Sequence, residues 1–60
     1  MKKYKAKCEI DKYEGNGIEY YDVFIRKIKD EAEAHEFAKH YMLTEFPQWA
    51  LYNIVLTEIM

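Results

Sequence analysis

Polar and apolar residues alternate strictly from Lys2 to Asp11. Tyr4, Ala6, Cys8 and Ile10 fall on one side, and Lys3, Lys5, Lys7, Glu9 and Asp11 on the other. A period of two is what a strand with one dry face and one wet face produces. Both glycines follow, in Glu14-Gly15-Asn16-Gly17. Glycine and asparagine accept positive φ, so this stretch predicts a hairpin turn. From about Ile18 to Lys29 a second strand is apolar on both sides. Tyr21, Val23 and Ile25 form one row; Ile18, Tyr20, Phe24 and Ile28 form the other, broken by Asp22 and Arg26.

Between Asp30 and Phe46 the period changes to that of a helix. Asp30 is a suitable N-cap, because its carboxylate accepts from free amides of the first turn, and Glu33 stands where a capping box needs it. Glu31 and Glu33 set negative charge at the positive end of the helix dipole. Pro47 closes the segment, since the residue before a proline is pushed out of the α region. The spacing predicts an inner face of Ala34, Phe37, Ala38, Tyr41 and the stem of Glu45. After a connection over Pro47-Gln48-Trp49-Ala50, the residues from Leu51 to Met60 form a third strand, again two-sided. Leu51, Val55 and Ile59 oppose Tyr52, Ile54, Leu56 and Met60, with Asn53, Thr57 and Glu58 interrupting.

The fold expected is α+β, in the order β-β-α-β: one domain over residues 1–60, a three-stranded antiparallel or mixed sheet with one helix on one face. A strand order of 2-1-3 is preferred over 1-2-3, because it keeps the one-sided first strand central. One helix covers one face, so an apolar row is left on the other, and uncovered rows of this kind mark contact surfaces. Tyr20, Phe24, Trp49 and Tyr52 are residue types enriched at interface hot spots. With Ile28, Ile54 and Leu56 they make up the expected interface, toward a partner or a second copy. Size points the same way. A 60-residue chain buries only about 60% of the surface its unfolded form exposes, and one cysteine excludes an internal disulfide. Self-association is the remaining support, and a homodimer is expected.

Charge and candidate chemistry narrow the function. Nine basic and eleven acidic residues leave a net charge of −2, which favours neither nucleic acid nor an anionic membrane globally. No apolar run approaches the roughly 20 residues of a membrane span. The basic N-terminus lacks an apolar stretch behind it, unlike a signal peptide; a lone thiol then fits a reducing cytoplasm. His35 and His40 lie five apart and do not share a helix face, whereas Glu36 and His40 do. With no third ligand at matching spacing, no metal site is expected. Cys8 sits in a dry row without a basic partner, so it reads as a small hydrophobe rather than a nucleophile. The chain has no serine, and its glycines are used in a hairpin rather than a phosphate loop. No catalytic residue and no cofactor are expected. The alternative class is nucleic-acid binding: Lys3, Lys5 and Lys7 share a strand face, and Tyr20 beside them could stack bases of RNA or single-stranded DNA.

The junction Arg26-Lys27-Ile28-Lys29-Asp30-Glu31-Ala32-Glu33-Ala34 follows a hairpin strand, and the chain closes on Ile54-Val55-Leu56-Thr57-Glu58-Ile59. This arrangement resembles many small accessory proteins encoded by bacteriophages and mobile elements. The resemblance spans nearly the whole chain and is one of pattern. It implies a host-takeover or anti-defence factor, acting in a bacterial cytoplasm by binding and blocking a host protein.

Overall fold

The computed structural model describes residues 2–13, 15 and 17–59. Within them β1 (Lys2–Asp11), β2 (Ile18–Ile28), α1 (Glu31–Glu45) and β3 (Ala50–Ile59) follow in order. β1 pairs antiparallel with both neighbours, giving the order β2-β1-β3. This is the expected β-β-α-β architecture, with the one-sided strand in the centre. The Cα envelope measures 39 × 19 × 13 Å, shallow enough for one helix over one sheet and nothing more.

The inner face of β1 is as its alternation requires: Ala6, Cys8 and Ile10 have no exposed surface and Tyr4 keeps 4%. Across the sheet, Val23–Ala6–Leu56 and Tyr21–Cys8–Ile54 line up beneath the helix. Small side chains on β1 meet small ones on α1, where Ala34 and Ala38 are fully buried, so helix and sheet approach closely. Asp30 caps α1, its Oδ1 accepting from the Glu33 N–H at 2.9 Å. At the other end the Phe46 N–H donates to the Met42 carbonyl at 2.9 Å, and Pro47 follows.

In the hairpin, the Tyr13 N–H donates to Asp11 Oδ1 at 2.8 Å, and Gly15 and Gly17 both adopt φ +78°. These glycines serve the conformation expected of them. Glu14 and Asn16 of the predicted turn, and Met60 of the predicted third strand, lie outside the described residues.

Three expectations are corrected. The helix is rotated from its predicted phase: its buried stripe is Ala34, Ala38 and Met42, while Phe37 is 49% exposed, Tyr41 half-buried and Glu45 exposed. Near the end of β2 the register runs from Tyr4↔Ile25 to Lys2↔Ile28, so one residue of β1 faces two of β2. Such a bulge reverses the alternation beyond it. Lys27 takes φ +57° there, and Ile28, expected on the open face, turns into the core with 6% exposure. A second shift, between Glu9↔Asn53 and Ile10↔Leu51, makes Tyr52 the extra residue of β3. Leu51 therefore packs under the helix together with Ile54 and Leu56, rather than opposite them.

Candidate interaction surfaces

Among the described residues no element covers the face of the sheet turned away from α1. Its cross-strand rows are Phe24–Lys5–Thr57, Asp22–Lys7–Val55 and Tyr20–Glu9–Asn53. Phe24 is 65% exposed, Tyr20 59% and Val55 53%, with Ile18 and Ile59 also exposed. Along β1 the charge changes sign, from Lys3, Lys5 and Lys7 to Glu9 and Asp11. The Lys7 ammonium lies 4.8 Å from the Tyr20 ring centroid, a cation–π contact that holds it across the strand boundary. The sheet thus presents a charged central strand between a β2 flank that bears Tyr20 and Phe24 and a mixed β3 flank of Asn53, Val55 and Thr57.

The residues expected at an interface separate into two groups. Tyr20 and Phe24 are on the open face, and Tyr52, at its bulge, is 57% exposed. Ile28 belongs to the core, and Ile54 and Leu56 pack against it from the helix side, half-buried. Trp49 is also half-buried, in an aromatic plug at one end of the molecule. Its indole stacks on Phe46 at 4.3 Å with 4° between planes, Tyr21 sits 6.2 Å away, and Lys12 Nζ caps the ring at 4.6 Å. Lys3, Lys5 and Lys7 share one face with Tyr20, as their alternation requires.

The free edge of β3 is a second feature. From Ala50 to Ile59 its one charged residue is Glu58. An edge so poor in charge is a template for pairing with another strand.

A third feature follows from the rotation of α1. Phe37, turned off the core, and Tyr41, packed partly against it, line a groove of about 550 Å³ between the helix and the end of β2, floored by Ile28. Glu33, Glu36 and Glu45 stand around it, and no lysine or arginine contributes. A smaller hollow continues along β2 from Tyr21 to Phe24, sharing Phe37 and Tyr41. The Tyr41 phenol is pushed above its usual range, first by the neighbouring Tyr21, then by burial and Glu45. Sequence reasoning missed this site because it assigned Phe37 to the core. The signal available was Glu36 and His40 at i, i+4, which do line the groove together. His35 lies on the opposite flank of α1, beside Lys39 and Tyr52.

Among the described residues no three His, Cys, Asp or Glu side chains gather as a metal site. Cys8 is fully buried, and burial, with Asp22 adding to it, pushes its thiol above the usual range. Among the described residues no helix is long and apolar enough to cross a membrane. In comparisons with known proteins the chain matches no protein-family model, no curated protein and no solved structure.

Proposed function

We propose that this chain is a small non-catalytic protein-binding module that acts as a homodimer, gripping a partner protein with the open face of its sheet. The observation that carries this reading is the uncovered flank of Tyr20 and Phe24, each more than half exposed on β2. Aromatic anchors on a paired strand lose little conformational entropy when they bind. The resemblance in the sequence extends the reading to a phage-type factor that blocks a protein of a bacterial host, in its cytoplasm, by occupying a surface. Charged rim groups would then set orientation.

The dimer is assigned to the β3 edge. Antiparallel pairing about a two-fold axis at Val55 sets Val55 against its own copy and Asn53 against Thr57 on the open face. On the helix side it sets Ile54 against Leu56. Glu58 then meets Tyr52, and no like charges oppose. Sedimentation at micromolar concentration tests the pairing: the wild type should run as a dimer and Val55→Lys as a monomer. Pull-downs from bacterial lysate test the face. A protein retained by the wild type and lost with Phe24→Asp supports the reading; identical recovery by both refutes it.

A second reading has its own support, in the shared face of Lys3, Lys5, Lys7 and the two rings. Against it, Lys7 already sits on Tyr20, and Glu9, Asp11 and Asp22 occupy the same surface. RNA or single-stranded DNA held by three lysines would lose affinity with a log–log salt slope of about −2. Changing Lys3, Lys5 and Lys7 together to Glu would abolish such binding and leave aromatic-anchored protein binding nearly unchanged.

A further inference from the structure

Three observations converge on the flank where α1 overhangs β2, away from the open sheet face. The first is the groove itself, within the size range of ligand clefts, with Phe37 at its wall and Ile28 at its floor. The second is the edge. β2 is the outer strand of the sheet, so its outward backbone N–H and C=O groups have no strand partner, and the hollow over Tyr21 to Phe24 runs beside them. The third is charge. Three carboxylates, from Glu33, Glu36 and Glu45, border the groove without a lysine or arginine among its lining residues.

We propose that this groove binds an extended, basic segment of a partner protein, which adds to the sheet as a fourth strand along β2. Each feature takes one part of such a ligand. Backbone groups of the segment pair with the free edge of β2, the mode of recognition known as strand addition. Because side chains of an extended chain alternate, every second residue turns inward, where apolar groups meet Phe37, Tyr41 and Ile28. Residues between them reach the rim, where lysine or arginine finds Glu33, Glu36 and Glu45. Length agrees as well. From Glu33 to Glu45 the helix rises about 18 Å, the span of five or six extended residues. Beyond Ile25 the bulge and the left-handed Lys27 interrupt regular pairing, so the segment pairs with β2 as far as Ile25 and runs on over Ile28 into the groove without strand pairing. A second copy of this chain fits less well: its own least charged edge, β3, brings no basic residue to meet the carboxylates.

The test uses the full chain and two fluorescein-labelled hexapeptide mixtures. Each has Leu, Val, Phe or Trp at three alternate positions; the other three are fixed as Lys in one mixture and Glu in the other. Fluorescence anisotropy should show saturable binding of the Lys mixture, at least tenfold tighter than the Glu mixture, weakening as salt is added. Phe37→Ala and the double variant Glu33→Lys, Glu36→Lys should each reduce binding about tenfold. Tyr20→Ala, on the open face and outside both hollows, should leave it unchanged, so the groove and the open-face reading fail separately. Amide shifts in NMR spectra should concentrate at Tyr21–Ile25 and along α1. Equal binding of both mixtures, binding insensitive to Phe37, or no saturation at millimolar peptide overturns the proposal. So does a wild-type dimer that Phe37→Ala dissociates, since the groove would then hold a second copy.

Discussion

The rotation of α1 makes a paired prediction that separates the observed helix phase from the one its sequence pattern suggested. Met42 keeps 2% of its surface and Phe37 keeps 49%. Replacing Met42 with Ala removes a buried side chain. The transfer cost of its lost methylenes, with a cavity between α1 and the sheet, comes to about 3 kcal/mol. Phe37→Ala gives up only the half of the ring that is covered, and alanine is the better helix former. The net loss is about 1 kcal/mol. These are large fractions of what a 60-residue chain holds, roughly 3–9 kcal/mol at 0.05–0.15 kcal/mol per residue. Urea unfolding followed by far-ultraviolet circular dichroism and by Trp49 fluorescence reads both, at one fixed protein concentration. With a slope near 1 kcal/mol/M, the midpoint should fall by about 3 M for Met42→Ala and about 1 M for Phe37→Ala. If Phe37→Ala loses as much as Met42→Ala, the helix lies in the other phase, and the groove it borders does not exist.

Two other positions carry predictions of their own. Lys27 holds φ +57° at the β2 bulge, where a side chain with a Cβ is strained. Lys27→Asn, which tolerates that region, should stabilise the chain by about 0.5–1 kcal/mol and raise Tm by several degrees, whereas the same change at Lys29 should not. Cys8 is protected by burial, so its reaction with a thiol reagent at pH 8 should be slow in the folded protein and fast in concentrated urea. Burial, chiefly, raises its folded pKa, so the unfolded chain ionises first. The stability this contributes is whole below about pH 8.5 and is lost as pH rises through the folded value. The fall in urea midpoint between pH 8 and pH 10 should accordingly be smaller in Cys8→Ala than in the wild type. An equal fall in both would refute the linkage.

Much of the architecture was legible wherever a local rule was left undisturbed. The strict alternation of β1 and the Asp30 cap each follow from a single residue pattern and are found in place, and Gly15 and Gly17 take the positive φ expected of them. The misreadings share a cause. A bulge inserts one residue, and a period-two reading carried across it assigns every later side chain to the wrong face. Ile28 was therefore placed outward, and Leu51 opposite Ile54, although both pack under the helix. Neither bulge is marked by a glycine, so the sequence offers no local warning. The phase of α1 was misjudged for a different reason. Phe37 is the larger hydrophobe, and size favoured it for the core over Met42. The closely approaching central strand selects small residues instead, Ala34 and Ala38, and the stripe that contains them continues to Met42. The same displacement created the groove, which no inspection of Phe37 as a core residue could have found.

The distribution of charge across the sheet bears on self-association. Lysines commonly protect exposed edges from unwanted pairing. Here Lys3, Lys5 and Lys7 sit on β1, which has no free edge, while β3, which has one, carries only Glu58. Monomeric sheets place these residues the other way round. The arrangement is economical if β3 meets β3 of a second copy, because lysines on the central strand then keep the joined open face hydrated without opposing the seam. That logic makes stability depend on protein concentration, since anything that binds only the folded chain raises its apparent stability by mass action. Tm should climb by several degrees between 5 and 500 μM for the wild type and for Phe24→Asp. It should stay flat for Val55→Lys, whose ammonium would oppose its own copy at the two-fold axis. A wild-type Tm that ignores concentration would mean that β3 is bare in solution and that 60 residues are stable without a second copy.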